Sequence, residues 1–184
     1  SQDLILDILK ESTEKYDLGL LTEESQDNSS RFQRDYFWCI DPLDGTLPFT
    51  KNQSGYSVSI ALVGRDGVSN LGVVADPRTG NLYHSRTGGG TYRNGQQVRP
   101  TTSPSGKTLT WIMDRSFRKI PDFASLQSAV ETLSVQLGLD GLSIIDHGGA
   151  AMNALWVLEN EPAVYFKFPK QQAGGGSLWD YAAT

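Results

Sequence analysis

The most informative segment of the 184-residue chain is FWCIDPLDGT, residues 37–46. Its apolar beginning is typical of a strand that crosses a protein core, and this strand ends on Asp41 and Asp44, with Pro42 and Leu43 between them. Because proline fixes one backbone angle, the turn is stiff and both carboxylates can point at one spot. Carboxylates that share a spot repel each other unless a cation lies between them. The stretch therefore predicts a buried strand that ends on a cation site.

A turn without any ligand is the alternative interpretation of the same residues. Asp-Pro and Asp-Gly are common turn dipeptides, and an Asx-turn would explain Asp41 and Asp44 separately. The spacing does not fit the EF-hand type of Ca²⁺ loop, which closes on a glutamate. Gly45 and Thr46 add backbone N–H groups at the predicted start of a helix, where an anion is favoured. On these residues alone, a structural turn and a combined cation and phosphate site both stay open.

Composition narrows the class of protein. With 38% hydrophobic residues, 20% charged residues and 19 glycines, the chain has the composition of a globular protein rich in turns. A net charge of −5 without a basic stripe argues against a nucleic acid polymer as partner. Cys39 is the only cysteine, so an intrachain disulfide is impossible and a reducing compartment is favoured. Since no apolar run approaches a membrane span and no signal-peptide pattern is present, we expect a soluble, cytoplasmic protein that does not bind membranes.

Hydrophobic periodicity predicts an α+β fold. Helices are predicted from near residue 1, at 123–137 and at 150–158, with a helix start at 178. Strands are predicted at 18–21, 36–40, 56–63, 68–75, 81–86, 109–113, 142–145 and 163–168, and loops at 25–35 and 169–177. We expect one unit in two halves, with an antiparallel meander and the aspartates in residues 1–105 and a mixed α/β half in residues 106–184.

Two further acidic groups lie at the ends of apolar elements. Glu23 and Glu24 close the apolar run at 18–21, and Asp180 follows Trp179 near a predicted helix start. Each has a simple structural explanation, as solvated surface or as a helix N-terminal residue that favours the macrodipole. Together with the two aspartates of the first stretch, they form the arrangement that a site for more than one metal ion requires.

Three motifs in this order resemble the inositol monophosphatase superfamily: LTEE at 21–24, DPLDGT at 41–46 and WDYAA at 179–183. The resemblance covers nearly the whole chain. It implies a layered α/β sandwich of the sugar-phosphatase type and a Mg²⁺-dependent phosphatase that acts on a small phosphorylated substrate. It also implies inhibition by Li⁺ and a homodimer.

The resemblance implies a set of metal ligands. Glu23, Asp41 and the backbone carbonyl of Leu43 would hold one Mg²⁺, and Asp41, Asp44 and Asp180 would hold a second. Glu23 and Asp41 would thereby take part in catalysis, with Glu24 as an adjacent helper.

The resemblance also implies residues that contact the substrate or the attacking water. Thr46 would orient the water, and the amides of Gly45 and Thr46 would bind the phosphate. Gly148, Gly149 and Ala150 match a turn of small residues beside the substrate; entry into a helix and close packing explain them equally well.

Within the superfamily, GYSVSIALV at 55–63 and GGGSLWDYAA at 174–183 look more like the 3'(2'),5'-bisphosphate nucleotidase branch than the inositol branch. Lys167 falls where inositol phosphatases place a glutamate that contacts the sugar ring, and a lysine there would suit a second phosphate. A surface lysine is the alternative. Three alternatives stay open: an inositol-phosphate phosphatase, a fructose-bisphosphatase type of enzyme and a non-catalytic binding module. The fructose-bisphosphatase type is disfavoured because threonine, not serine, follows Asp-Gly.

The pattern departs from the family at both termini. Members usually carry two antiparallel helices with an aspartate-bearing motif before the first residue, and strands with a helix after the last. That aspartate normally partners the threonine, and Asp3 is too near Glu23 to replace it. We therefore expect a chain that lacks family segments at both ends, with metal ligands retained and activity reduced or lost.

Overall fold

The computed structural model describes residues 2–99, 108–168 and 176–184. The helices in these ranges are α1 Gln2–Tyr16, α2 Thr46–Thr50, α3 Phe123–Gln136, α4 Ala150–Glu159 and α5 Leu178–Tyr181. Not one of these described helices has the length and apolar character needed to cross a bilayer. Residues 169–175 of the predicted loop and the predicted boundary between the halves lie outside the described residues.

The strands of the described ranges form two sheets. The larger sheet consists of β1 Gly19–Thr22, β2 Tyr36–Asp44, β3 Ser57–Gly64, β4 Ser69–Asp76, β5 Asn81–Arg86, β6 Gly90–Arg93 and β7 Gln96–Val98. The smaller sheet consists of β8 Thr108–Ile112, β9 Gly141–Ile145 and β10 Ala163–Tyr165. The α+β class is confirmed.

The larger sheet keeps its strands in chain order. Strand β1 is parallel to β2, and each later neighbouring pair is antiparallel, which confirms the predicted meander. On β3, Ser57, Ser59, Ala61 and Val63 are buried on one face while the intervening side chains are less buried. This alternation is the period-two pattern of the sequence, because successive side chains of a strand point to opposite faces.

The smaller sheet is parallel, in the order β10-β8-β9. Parallel neighbours need long crossovers, and α3 connects β8 to β9 while α4 connects β9 to β10. Trp111 at its centre is fully buried and stacks against Phe123 and Phe166, with ring centroids 5.9 Å and 5.8 Å away. The carboxyl ends of all three strands therefore lie along one edge of this sheet.

Several predicted bounds were wrong. Strand β2 runs to Asp44 instead of Ile40, because the aspartates remain paired with β3. Strand β10 ends at Tyr165, three residues before the predicted end. The 3₁₀ turns Ser30–Phe32 and Arg115–Lys119 were not predicted, since three to five residues are too few to show a helical period.

Helices α4 and α5 pack on the larger sheet and share its core. Met152 and Leu155 of α4 and Ala182 beside α5 belong to the same buried cluster as the sheet residue Val63. A Cβ atom built on Gly72 of β4 would lie 2.4 Å from the carbonyl oxygen of Ala183. Glycine at this position therefore allows the C-terminal segment to approach the sheet closely.

Candidate metal centre

A β-bulge brings Asp41 and Asp44 to one face of the larger sheet. Residues three apart on a regular strand point to opposite faces. Asp41 pairs with Ser59 and Asp44 pairs with Ser57, so three steps on β2 oppose two steps on β3. The extra residue lies between the two aspartates, and this segment contains Pro42, a residue type that sheets tolerate at bulges because it has no N–H to donate. Both carboxylates therefore point into the same buried region, where they are 1% and 5% exposed.

Asp180 reaches the same region from α5. The hydroxyl of Ser59 donates to the Trp179 carbonyl over 3.3 Å and ties α5 to the sheet. The Asp180 carboxylate accepts the backbone N–H of Ser177 in a capping box, which fixes its orientation. One oxygen from each of Asp41, Asp44 and Asp180 lies within 4.8 Å of the other two. Three side chains from two distant segments thus converge.

Glu23 adjoins this group beside Asp41. Because β1 is parallel to β2, the residue that follows β1 lies next to the end of β2, and the Glu23 N–H donates to the Ile40 carbonyl over 3.2 Å. Its carboxylate is a charged neighbour of Asp41. Glu23 is exposed and lies outside the group of three whose oxygens are within 4.8 Å.

Asp44 also holds the first turn of α4. Its carboxylate accepts the backbone N–H groups of Ala150 and Ala151 over 3.0 Å and 2.9 Å, two donors that a helix N-terminus leaves unpaired. A Cβ atom on Gly149 would lie 2.4 Å from an Asp44 oxygen, so this position requires glycine. The predicted small-residue turn therefore lies against a predicted metal ligand.

Burial shifts both buried carboxylates toward their neutral form. Desolvation raises the pKa of Asp44 to about 6, although the Ala151 and Ala150 amides lower it, and the charge of Asp180 raises it further. Desolvation likewise raises the pKa of Asp41, opposed by the Leu43 amide and reinforced by Glu23 and Asp44. Buried carboxylates that repel one another are a donor set that fits a hard divalent cation, which prefers oxygen ligands.

These pKa shifts predict how stability depends on pH in the absence of metal. A carboxyl group whose pKa is higher in the folded state than in the unfolded state stabilises the fold below the unfolded pKa, and this contribution is lost as the pH rises through the folded pKa. For Asp44, whose pKa rises from 3.8 to about 6, the loss is of the order of 2–3 kcal/mol. In chelator, calorimetry should therefore show Tm falling mainly between about pH 4 and about pH 6, the interval between the unfolded and folded pKa of Asp44. Added Mg²⁺ should raise Tm more at the higher pH, and an equal rise at both would contradict the assignment.

Three other predicted site residues, Leu43, Gly45 and Thr46, lie in or directly after the same bulge. The Leu43 N–H donates to the Asp41 carboxylate over 2.9 Å, which is the Asx-turn of the structural interpretation. Gly45 has a φ of 82°, a left-handed conformation that favours glycine, and precedes α2. Thr46 is the first residue of α2 and is exposed. The turn and the convergence of carboxylates are thus both present in one stretch.

Lys167 lies in a polar cluster next to this group. Its Nζ is 2.8 Å from the Asp114 carboxylate and donates to the hydroxyl of Tyr181, the residue after Asp180. Burial lowers the pKa of Lys167, but the hydrogen bonds to Asp114 and Tyr181 outweigh this and raise it overall. The interpretation of Lys167 as an ordinary surface lysine is therefore wrong.

The cluster also contains Asp114, Asn153 and Tyr165, which were not predicted from the sequence. One signal was available for Asp114: it follows the apolar run at 109–113, as Asp41 follows its own strand. No local signal marks Asn153, because it lies inside an ordinary helical pattern.

The fold and the carboxylate group define a class of proteins, α+β sandwiches with an acidic metal centre. The family model described as the inositol monophosphatase family matches residues 1–184, and the chain belongs to this family. An inositol-1-monophosphatase of Bacillus subtilis is 32% identical over 108 residues, which cover 53% of this chain and 40% of the relative. A histidinol-phosphatase of Chlorobaculum parvum is 40% identical over 96 residues, which cover 52% of this chain and 36% of the relative.

Solved structures share the whole described fold. Inositol monophosphatase II from Staphylococcus aureus superposes with a TM-score of 0.72 at 24% identity, over 99% of this chain and 65% of the other. Structures of SaIMPase-II bound to inositol monophosphate and to 2'AMP match with TM-scores of 0.68 and 0.70, both at 24% identity, over 99% of this chain and 63% and 64% of theirs. The layered sandwich predicted from the resemblance is confirmed. The chain spans less than two thirds of the length of these relatives.

Proposed function

We propose that the protein is a Mg²⁺-dependent phosphomonoesterase that hydrolyses a small phosphorylated metabolite. The observation that carries the proposal is the convergence of Asp41, Asp44 and Asp180, whose oxygens lie within 4.8 Å of one another in a largely buried site. Two of the relatives carry the names of phosphatases, which supports the same reaction class.

The acidic residues would share two ions between them. Glu23, Asp41 and the Leu43 carbonyl would hold one Mg²⁺, and Asp41, Asp44 and Asp180 the other. Bound divalent ions clamp phosphoryl oxygens and lower the pKa of an attacking water. Asp44 can serve as a ligand through Oδ1 while it holds α4, because Oδ1 has a second lone pair beside the one that accepts the Ala150 N–H. Its Oδ2 accepts from both the Ala151 N–H and the Ser57 hydroxyl.

Residues around the acidic group would bind and orient the substrate. We assign Thr46 to the attacking water and the amides of Gly45 and Thr46 to the phosphate. The turn of Gly148, Gly149 and Ala150 lies directly against Asp44, so it would border the bound phosphate ester.

The resemblance makes a 3'(2'),5'-bisphosphate nucleotide one candidate substrate, since Lys167 carries a positive charge near the acidic group. The ion pair with Asp114 neutralises that charge and makes an inositol-type monophosphate the favoured candidate. A fold neighbour binds both an inositol phosphate and a nucleotide. Inhibition by Li⁺ and a homodimer stay predictions.

A phosphate-release screen tests the proposal. The chain is incubated with adenosine 3',5'-bisphosphate, inositol 1-phosphate and fructose 1,6-bisphosphate, each with Mg²⁺ and with chelator. We expect release that requires Mg²⁺ for at least one of the first two substrates. If calorimetry detects Mg²⁺ and substrate binding without any release, the chain is a binding module and the proposed reaction is wrong.

A further inference from the structure

In the polar cluster around Lys167, other side chains hold both Asp114 and Lys167 in place. Asp114 Oδ1 accepts a hydrogen bond from the Asn153 amide over 3.3 Å and lies 3.5 Å from the Tyr165 hydroxyl. Its other oxygen, Oδ2, is 2.8 Å from Lys167 Nζ. The lysine also contacts Tyr181, since its Nζ lies 4.8 Å from the centroid of the Tyr181 ring. The two carboxylate oxygens thus have separate partners.

The cluster borders the metal centre through two helices. Asn153 lies on α4 one turn after the amides that bind Asp44, and Tyr181 directly follows Asp180 on α5. Asp114 and Lys167 follow the parallel strands β8 and β10, so both lie at the carboxyl edge of the smaller sheet. Ligands of open parallel sheets bind outside this edge. A leaving group attached to the reacting phosphate would therefore contact this cluster.

The ion pair changes what Lys167 can recognise. The side chains of Lys167 and Asp114 are only 26% and 20% exposed, so water screens their interaction weakly. A second phosphate that approached the lysine would have to compete with this carboxylate and would also be repelled by it. A hydroxyl group could donate to the carboxylate without either cost, because each carboxylate oxygen has two lone pairs.

We propose that Asp114 is a specificity-determining residue that acts through Lys167 and selects against substrates with a second phosphate. The inference rests on the proposed phosphatase function and deepens it, since it assigns a role to a residue outside the metal centre. Asp114 is a positioning residue, because it acts through the lysine.

A matched pair of substrates tests this selectivity: adenosine 3',5'-bisphosphate and 3'-AMP, which differ only in the 5'-phosphate. The measured quantity is the ratio of their kcat/KM values with Mg²⁺. Asp114→Asn should raise this ratio by about tenfold or more, since it removes a negative charge beside the lysine. Lys167→Gln should lower the ratio, because the carboxylate then repels the 5'-phosphate without compensation.

Two control variants distinguish an effect on substrate specificity from an effect on the structure of the protein. Asp114→Glu keeps the carboxylate and should keep the wild-type ratio. Asp140→Asn makes the same change in charge at the opposite end of the smaller sheet, where the side chain is exposed, and should leave the ratio unchanged.

The outcomes distinguish this inference from the proposed function. If Asp114→Asn lowers kcat/KM equally for both substrates, or if the variant does not fold and Lys167→Gln leaves the ratio unchanged, Asp114 has only a structural role and the inference is wrong. If the wild-type chain shows no Mg²⁺-dependent turnover of any substrate, the proposed function fails, and the inference fails with it.

Discussion

Replacing Asp41 by asparagine is expected to abolish Mg²⁺-dependent phosphate release while the fold survives. We expect kcat/KM to fall by about 10³-fold or more, because losing one preorganised electrostatic group typically costs several kcal/mol of transition-state stabilisation. Asp41 is expected to have the largest effect, since it is the proposed ligand shared by both ions. Phosphate release at saturating Mg²⁺ measures this loss.

The same substitution makes an opposite prediction for the protein without metal. Burial and the neighbouring charges of Glu23 and Asp44 raise the pKa of Asp41, so its ionised form is unfavourable at neutral pH. Asp41→Asn should therefore leave Tm in chelator unchanged or raise it. It should also remove most of the stabilisation that Mg²⁺ gives to the wild type.

Asp76→Asn is the matched control for this experiment. Asp76 is a buried aspartate at the end of β4 whose carboxylate binds the turn residues Arg78 and Thr79, and it lies outside the acidic group. Its substitution should lower Tm and leave the stabilisation by Mg²⁺ intact. If Asp41→Asn released phosphate at the wild-type rate, the metal centre would be assigned to the wrong residues.

Replacing Gly149 by alanine is expected to have the second largest effect. The new Cβ atom would lie 2.4 Å from an Asp44 oxygen, which two backbone amides hold in place. Either Asp44 or the start of α4 must move, and hydrogen bonds from the helix to the carboxylate are lost. We expect a loss of about 2–4 kcal/mol in the free energy of unfolding. Turnover should fall by about 10²-fold, because small displacements of a proposed ligand are costly.

Because the backbone at Gly149 is unstrained, Gly149→Ala tests steric fit alone. Its φ of −68° is accessible to alanine, so no conformational strain contributes. Gly141→Ala is the matched control, because no atom lies within 4 Å of its Cβ position and its φ is not in the left-handed region. Urea unfolding should show wild-type stability for Gly141→Ala. Equal stability of both variants would mean that Asp44 does not fill the space beside Gly149.

Much of the larger sheet could be predicted from the sequence, since its signals are local. Alternating burial on β3 and turn residues between strands determine the meander, and both are visible within a few neighbouring residues. The extension of β2 through Asp44 could not be predicted, because a proline argues against a strand unless a bulge accommodates it. The bulge depends on the register with β3, and no pattern within β2 specifies that register.

The acidic group could also be predicted from the sequence, because its signals are local. Asp41, Asp44 and Asp180 each lie at the end or start of an apolar element, and the resemblance supplied their common role. The residues that contact Lys167 could not be predicted from the sequence. The sequence around a lone lysine near a strand end shows only its own charge, and two α/β crossovers separate Asp114 from Lys167 along the chain.

The class of fold, the family and the carboxylates available for metal ions could be predicted from the sequence, because periodicity and motifs are properties of neighbouring residues. Three features required the folded chain: Asp41 and Asp44 share a face, Asp44 holds α4, and Lys167 is neutralised. Electrostatic and steric effects depend on distances in space. Parallel strand pairing and helix packing set those distances between residues that are far apart in the chain.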